Sequence, residues 1–314
     1  MGIELIIQII LLLVGFVFLI KGADIFVEGS STVAAYLKIP TLIVGLTIVA
    51  FGTSLPEAAV SIASSATGAN AIAVSNVIGS NLFNILLIIG LCATLHELDL
   101  EEIVVKRDIP LLTAMTFLLA IFILIGWNIN QIEGIILFCL IICYVAYLVY
   151  NVKKQGEATE VEEPKISIIR SIVYIMLGLI GIVLGGEFVV DSATYIALTC
   201  GMSQTLVGLT IVAIGTSLPE VVTSLTALKK GETGIIIGNV IGSNLFNILF
   251  VLGASSAIST ITLNPSIILE LVILVVATVI CLILAYTDTK FDKKEGLVLL
   301  TLFIMYMLFI IIRN

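Results

Sequence analysis

The chain repeats itself at a spacing of 163 residues. Residues 44–86 align with residues 207–249 without a gap and are identical at 27 of 43 positions. The identical positions include Gly, Thr, Ser, Pro, Glu and Asn as well as apolar residues, so a shared hydrophobic bias cannot explain the register. Upstream acids align as well, Asp24 with Glu187 and Glu28 with Asp191. The chain is therefore built from two copies of one structural unit.

Long apolar runs surround the repeated motifs. The 314 residues are 60% apolar and 11% charged, whereas soluble domains are nearer ~45–50% and ~25%. Runs such as residues 5–20 and 267–285 lack the polar alternation of a barrel strand and suit membrane helices. The net charge of −8 excludes a basic nucleic-acid surface. We therefore predict an all-α polytopic membrane protein rather than a soluble enzyme.

Ten transmembrane helices are expected, each close to the ~20 residues that cross a bilayer. Their predicted limits are residues 3–20, 40–66, 71–95, 109–127, 131–151, 168–186, 204–228, 233–258, 266–287 and 296–312. Residues 22–39 and 185–203 are predicted to be semi-polar connectors, partly helical. The hydrophilic residues 152–167 form a predicted linker between a first five-helix repeat, residues 1–151, and a second, residues 168–314. Because five is odd, the second half enters from the opposite side, which makes the two repeats inverted.

The basic residues predict an orientation. If the N-terminus is outside, 13 of the 14 Lys and Arg residues fall on inward-facing connectors, and only Arg313 faces outwards. Basic residues concentrate on the cytoplasmic side of membrane proteins. We therefore expect both termini outside and the central linker in the cytoplasm.

The segment GTSLPE occurs in both repeats and predicts a broken helix. Pro56 has no N–H, and its ring clashes with the carbonyl of Gly52, so the helical hydrogen bonds must open there. Freed carbonyls near Ala50 are tolerable inside a bilayer only if something polar, such as a cation, meets them. Thr53 and Glu57 share a helix face that Ser54 also borders. The second copy places the same groups at Thr216, Ser217, Pro219 and Glu220, with carbonyls near Ala213.

The following helix of each repeat adds a hydroxyl and an amide on one face, since Ser80 and Asn84, like Ser243 and Asn247, are four residues apart. Two carboxylates and two amides would then form a ring about a two-fold axis, with hydroxyls beside it. An all-oxygen set suits hard cations, and Ca²⁺, which takes 6–8 oxygens, carries the charge of two glutamates. A further repeated pair lies on another helix face and is interpreted as bonding between helices: Asn81 and Asn244.

The paired GTSLPE segments and the segment GNVIGSN at residues 238–244, which reads SNVIGSN at residues 75–81, resemble the two alpha-repeats of the calcium/cation antiporter superfamily. Over its whole length the chain is most similar to the prokaryotic sodium/calcium exchanger branch. The resemblance implies a prokaryotic cell membrane and alternating access by sliding of the first helix of each half. It also implies these ion ligands: Ala50, Thr53, Ser54, Glu57, Ser80, Asn84, Ala213, Thr216, Ser217, Glu220, Ser243 and Asn247. Some relatives carry an aspartate where Asn247 stands.

Exchange of Na⁺ for Ca²⁺ is the leading hypothesis. Two glutamates give the site a charge of −2, so one Ca²⁺ neutralises it, whereas three Na⁺ would leave +1 and make exchange electrogenic. Ca²⁺/H⁺ antiport on the same two glutamates is the alternative, and a passive cation channel and a purely structural protein are further ones. The motif G-T-S-L-P lacks the second glycine of a hydrolase nucleophile elbow and has no nearby histidine, so we expect no enzyme. No cofactor and no obligatory protein partner are expected.

Overall fold

The computed structural model describes residues 2–66, 70–155, 164, 166–202, 213–263 and 267–313. Three predicted features therefore lie partly outside the described residues: residues 67–69 of the first motif, the start of the second motif and of span 204–228, and most of the linker. The elements of the first half are α1 (Gly2–Leu37), α2 (Thr41–Thr53), α3 (Leu55–Ala66), α4 (Asn70–Leu82, continuing as Phe83–Ile89 and Gly90–Leu95), β1 (Leu98–Asp99), α5 (Val104–Gly126), β2 (Asn128–Ile129) and α6 (Gln131–Gln155).

The second half repeats this order. Its described elements are α7 (Ile168–Thr199), α8 (Ala213–Gly215), α9 (Leu218–Lys230), α10 (Thr233–Phe246, continuing as Asn247–Val251 and Leu252–Ile258), β3 (Ile261–Thr262), α11 (Ile268–Asp288), β4 (Lys290–Phe291) and α12 (Lys293–Arg313). Within the described residues, eight helices are long and apolar enough to cross a membrane, or nine if the bent pair α2–α3 is one span. The seventh predicted span, residues 204–228, begins outside the described residues and is not in this count. The all-α polytopic fold is confirmed.

The first helix of each half is longer than predicted. Helix α1 has 36 residues and α7 has 32, so the presumed connectors at residues 22–39 and 185–203 are mostly helix. At 1.5 Å per residue α1 is about 54 Å long, well beyond the ~30 Å hydrocarbon layer. Both helices end in the same way. Lys38 and Gly201 have positive φ, and the N–H of the residue after each donates to the carbonyl five residues earlier.

Helices α1 and α7 lie side by side because glycines let their backbones approach. A Cβ on Gly22 would be 2.9 Å from the carbonyl oxygen of Gly178, and a Cβ on Gly185 would be 2.6 Å from the backbone nitrogen of Leu19. Close backbone approach through small residues is a usual way for membrane helices to pack. The two helices that begin the two repeats therefore form one tightly fitted pair.

Two short antiparallel ribbons link connectors that are distant in the sequence. In the first, Leu98 pairs with Phe291; in the second, Ile129 pairs with Ile261. Adding 163 to the numbers of β1 gives β3, so each ribbon is the counterpart of the other. The predicted inverted topology places the connectors of each ribbon on the same side of the membrane, and these pairings agree with it.

The centre of the molecule is the contact between α2 and α10. A Cβ on Gly238 would lie 2.5 Å from the carbonyl oxygen of Leu42, and one on Gly242 would lie 2.6 Å from the Cβ of Ala50. Every residue of α10 from Ile235 to Phe246 is buried. Because the broken helix of one half packs on the polar helix of the other, polar groups that are far apart in the sequence meet there.

Candidate functional site

Each half contains a helix break at the repeated motif. Helix α2 ends at Thr53, α3 begins at Leu55, and the two are bent by 47°. Between them Ser54 has φ −84° and ψ 5°, and its counterpart Ser217 has φ −93° and ψ 4°. The predicted break is confirmed, because the missing N–H of each proline opens the helix just before it. Each break places a serine and a glutamate at the start of a new helix.

Each of the two glutamates accepts a hydrogen bond from a serine of the opposite half, and Glu57 also accepts one from a serine of its own half. Glu57 is fully buried, and its Oε1 accepts hydrogen bonds from Ser217 Oγ at 3.3 Å and from Ser80 Oγ at 3.4 Å. Glu220 is 1% exposed, and its Oε1 accepts from Ser54 Oγ at 3.2 Å. The second oxygen of each carboxylate, Oε2, is buried and has no partner among the described residues. Both carboxylates thus keep one free acceptor.

The two amides show the same arrangement. Asn84 Nδ2 donates to Asn244 Oδ1 at 3.0 Å, and Asn247 Nδ2 donates to Asn81 Oδ1 at 3.1 Å. Both side chains are at most 1% exposed. Asn84 Oδ1 and Asn247 Oδ1 accept no hydrogen bond from any described group. The two amide oxygens, like Oε2 of each glutamate, are therefore buried acceptors without a donor among the described residues.

Hydroxyls and a carbonyl of the two halves meet on one flank of the site. The single hydroxyl hydrogen of Thr53 has two acceptors in reach, because Oγ1 lies 3.0 Å from Asn239 Oδ1 and 3.1 Å from the Val49 carbonyl oxygen. Ser243 Oγ lies 3.4 Å from Thr53 Oγ1 and from the Ala50 carbonyl oxygen. That carbonyl also accepts the N–H of Ser54 at 3.1 Å, so it is less free than the proline argument predicts. Thr53 Oγ1 also lies 3.4 Å from this oxygen, so two hydroxyl groups compete for its second lone pair.

The other flank is built from the second broken helix. Ser217 Oγ lies 3.2 Å from Ser80 Oγ. Thr216 Oγ1 is buried and has no partner within the described part of the chain. Ala213 begins the short helix α8 just before it. Eight of the twelve predicted residues thus lie at the two breaks, and the other four lie on the helices that follow, α4 and α10: Ser80, Asn84, Ser243 and Asn247.

Four unpartnered acceptors in one buried cluster need an explanation, because buried polar groups in proteins are almost always hydrogen-bonded. These acceptors are Glu57 Oε2, Glu220 Oε2, Asn84 Oδ1 and Asn247 Oδ1. A carboxylate oxygen or amide oxygen can be satisfied by a hydrogen-bond donor or by a cation. No group of three or more His, Cys, Asp or Glu suited to a metal occurs among the described residues, so two carboxylates and neutral oxygens would have to suffice. Such a donor set fits Na⁺ or Ca²⁺ and not a soft transition metal.

Two further asparagines that the sequence argument did not single out support the site. Asn239 Nδ2 donates to the Glu220 carbonyl at 3.4 Å and to Ser224 Oγ at 3.1 Å. Its counterpart Asn76 donates to the Glu57 carbonyl and to Ser61 Oγ in the same way. Each is identical in both repeats and stands four residues before the site serine of its helix. That spacing could have predicted them, since residues four apart share a helix face.

Comparison with known proteins matches this chain to the family described as "Sodium/calcium exchanger protein" over residues 7–150 and 170–312. Among curated relatives, the putative antiporter CaxA of Alkalimonas amylolytica is 37% identical over 308 residues, which cover 95% of this chain and 96% of that one. The sodium/calcium exchanger MaX1 of Methanosarcina acetivorans is 30% identical over 344 residues, with 96% and 97% covered.

Solved structures give the same result. The sodium-calcium exchanger NCX_Mj, soaked with 2.5 mM Na⁺ and 10 mM Sr²⁺, superposes with a TM-score of 0.85 at 32% identity, covering 96% of this chain and 98% of that chain. The same exchanger soaked without Na⁺ and Ca²⁺ gives a TM-score of 0.83. The fold described above is therefore the fold of that exchanger.

Proposed function

Because this chain belongs to the sodium/calcium exchanger protein family, we propose that it exchanges Na⁺ for Ca²⁺ across the membrane by alternating access. The chain is a cation antiporter and not an enzyme, as its family and its named relatives are exchangers and antiporters. The observation that carries the finer proposal is the cluster of four buried, unpartnered oxygen acceptors with two carboxylates among them.

The charge of the cluster favours Ca²⁺ as one cargo. Two glutamates balance one divalent ion, and the surrounding amides and hydroxyls supply the remaining oxygens that Ca²⁺ needs. Mg²⁺ is reluctant to lose its water, and a dry cage of protein oxygens suits it poorly. An isolated charge within the membrane is costly and is a functional-site hypothesis by default. We assign the binding of ions to the twelve residues named from the sequence, with Ala50 and Ala213 acting through their carbonyls.

Na⁺ and Ca²⁺ would compete for the same carboxylates. The central acceptors and the two hydroxyl flanks allow three small-cation positions, one in the centre and one on either side. Three Na⁺ would give the loaded site a charge of +1, whereas one Ca²⁺ gives zero. Each cycle would then move one net charge, so the proposed exchange is electrogenic. Because the same oxygens serve both ions, they cannot be carried together, and this exclusivity couples their movements.

Alternating access needs a part that moves and a part that stays. We assign movement to the fitted pair α1 and α7, which contribute none of the twelve ligands, and retention of the ions to the broken helices with α4 and α10. The predicted orientation has both termini outside and the linker at residues 152–167 in the cytoplasm. The repeats at residues 1–151 and 168–314 would open the site to opposite sides in turn, as in other inverted-repeat transporters.

The test is ⁴⁵Ca²⁺ uptake into proteoliposomes, with Na⁺ and pH gradients imposed separately. We expect an outward Na⁺ gradient to drive Ca²⁺ uptake at equal pH on both sides. Uptake driven by a pH gradient without Na⁺ would replace Na⁺ by H⁺ as the coupling ion, with Glu57 and Glu220 as proton carriers. Uptake that follows the Ca²⁺ gradient alone would indicate a passive channel.

A further inference from the structure

Four asparagines form hydrogen bonds between the two halves at the site. Asn81 and Asn84 lie on α4, Asn244 and Asn247 lie on α10, and all four are at most 1% exposed. The repeat relates Asn81 to Asn244 and Asn84 to Asn247. We call these residues the amide quartet. Asn84 and Asn247 belong to the proposed cation site, whereas Asn81 and Asn244 are not among its ligands.

The hydrogen bonds of the amide quartet run reciprocally. Asn84 Nδ2 donates to Asn244 Oδ1 at 3.0 Å, and Asn247 Nδ2 donates to Asn81 Oδ1 at 3.1 Å. In addition, Asn81 Nδ2 donates to the backbone carbonyl of Asn244 at 3.3 Å. Each site amide is thus held by the asparagine three residues before its own counterpart, on the opposite helix.

This arrangement decides which end of each site amide faces the ion. An amide has an acceptor end and a donor end of nearly the same shape. When its NH₂ group donates to the neighbouring asparagine, its oxygen is left pointing elsewhere, and both site oxygens are indeed without donors. The opposite orientation would turn the N–H hydrogens, which carry partial positive charge, towards a cation and would leave the neighbour's oxygen unpaired.

We propose that Asn81 and Asn244 are positioning residues for ion binding: each accepts the N–H of the site amide of the opposite half and so keeps that amide's oxygen on the cation. The inference rests on the proposed cation site. Neither residue touches the ion itself. Because each bond joins α4 to α10, the positioning of a ligand in one half depends on the other half.

A carboxylate at the same position has no need of such a neighbour. Aspartate presents two equivalent oxygens and has no wrong orientation. An aspartate in place of Asn247 would also face the Asn81 oxygen with another acceptor, so Asn81 would have to turn its NH₂ group instead. The positioning role is therefore specific to an amide ligand, and replacing the ligand by aspartate should remove the dependence on the neighbour.

The experiment is a set of double-mutant cycles read out by equilibrium ⁴⁵Ca²⁺ binding to purified protein at fixed low Na⁺. Asn81→Leu keeps the approximate size of the side chain and removes its acceptor. We expect it to weaken Ca²⁺ binding about tenfold in the wild type, the order of one lost hydrogen bond. In the Asn247→Asp background the same substitution should change binding less than about threefold. Asn244→Leu should behave likewise with Asn84→Asp.

The matched control combines each positioning asparagine with the site asparagine of its own helix, to which it is not hydrogen-bonded. Asn81 is three residues from Asn84 on the same helix, so a merely local packing role would couple those two. In the Asn84→Asp background we expect Asn81→Leu to weaken Ca²⁺ binding about tenfold, as in the wild type, because the partner of Asn81, Asn247, is unchanged. If Asn81→Ser is needed because Asn81→Leu does not fold, its shorter side chain still cannot reach Asn247 Nδ2, and the same pattern is expected.

Two results would overturn the proposal. One is an equal loss of Ca²⁺ affinity in the Asn247→Asp and Asn84→Asp backgrounds, which would indicate general packing. The other is no loss in the wild type. Both differ from failure of the proposed function, in which the unaltered protein would bind no Ca²⁺ at all. Thermal unfolding of each variant at saturating and zero Ca²⁺ separates ion binding from stability, because a bound ion stabilises only the fold that binds it.

Discussion

Single buried residues set the chemistry of this transporter. Glu57 and Glu220 are the acids of the proposed site, and Oε1 of each accepts a hydrogen bond from a serine of the opposite half. The remaining polar residues of the proposed site are neutral, so in this proposal no third carboxylate could take over the charge of a lost glutamate. With an amide rather than an acid at Asn247, the proposed site carries a charge of −2.

Glu57→Gln should abolish Ca²⁺ transport without unfolding the protein, and so should Glu220→Gln. Glutamine has the size of glutamate and can still accept the serine hydrogen bond, but it removes half of the negative charge that a divalent ion requires. The measurement is Na⁺-driven ⁴⁵Ca²⁺ uptake at matched protein levels. Glu102→Gln is the control, since that side chain is 75% exposed and pairs with Lys106. Wild-type flux in either glutamate variant would contradict the site assignment.

At the scale of helices, glycines control how closely elements approach. Gly185 and Gly186 are neighbours on α7 and both are buried, yet their surroundings differ. A Cβ on Gly185 would lie 2.6 Å from Leu19 N and 2.8 Å from the Gly15 carbonyl oxygen, whereas the nearest atom to a Cβ on Gly186 is 3.8 Å away. Substituting alanine at each position therefore distinguishes the effect of losing a close backbone contact from the effect of a higher helix propensity.

Gly185→Ala should destabilise the protein by about 1–3 kcal/mol, the usual cost of overpacking, because backbone atoms of α1 cannot move aside cheaply. Gly186→Ala should be neutral or stabilising by up to about 1 kcal/mol, since alanine favours helix. Thermal unfolding in detergent measures both. Equal melting temperatures for the two variants would show that α1 and α7 do not depend on this contact.

An ion pair also joins α1 to the broken helix of the second half. Lys230, at the end of α9, lies 2.9 Å from Asp24 Oδ1 and 3.6 Å from Glu28 Oε2. It also donates to the Asp24 carbonyl at 2.8 Å. In the first repeat the counterpart of Lys230 is Thr67, so Glu187 and Asp191 lack an equivalent lysine. The contact is one place where the two halves differ.

Lys230→Gln should lower stability by about 1 kcal/mol or less, because its partners are partly exposed and solvent screens the pair. The loss should shrink as salt is raised. Lys229→Gln is the matched control, since that neighbouring lysine forms no ion pair with any described residue. Melting temperatures at low and high salt test this. A loss of stability that does not depend on salt would mean that Lys230 contributes through packing rather than through its charge.

The whole molecule is organised by the inverted repeat, and its orientation can be tested with a native cysteine. Cys200 is exposed just beyond the end of α7, where the proposed orientation places it outside. A membrane-impermeant maleimide should label it on intact cells. Cys139 and Cys143 are also exposed but lie within α6, where lipid shields them from a polar reagent. Cys200→Ala should abolish labelling, and labelling only after permeabilisation would reverse the orientation.

The net charge moved per cycle is a property of the whole transport cycle. If three Na⁺ exchange for one Ca²⁺, an inside-negative potential should accelerate Na⁺-driven Ca²⁺ extrusion. The potential supplies ~2.3 kcal/mol per charge per 100 mV. Valinomycin with set K⁺ gradients fixes the vesicle potential while the Na⁺ gradient is held constant. Rates that do not respond to the potential would rule out three-for-one coupling.

The sequence by itself determined the repeat, the membrane-spanning class and the two helix breaks. These depend on local rules: the length of apolar runs, the missing N–H of Pro56 and Pro219, and the spacing of polar residues along a helix. It also determined which residues would stand near the breaks. It did not determine the lengths of α1 and α7, because charged and small polar residues interrupt the apolar pattern within residues 22–39 and 185–203.

Only the tertiary structure decided which residues of the site are hydrogen-bonded to each other. Ser217 rather than Ser54 donates to Glu57, Thr53 donates to Asn239, and Asn81 holds Asn247. These partners are more than 130 residues apart in the sequence, and they meet because helices of the two halves pack together, as α2 does on α10 through glycines. Helical spacing predicts neighbours along one helix, but which atom of one half reaches which atom of the other depends on how the two repeats pack together.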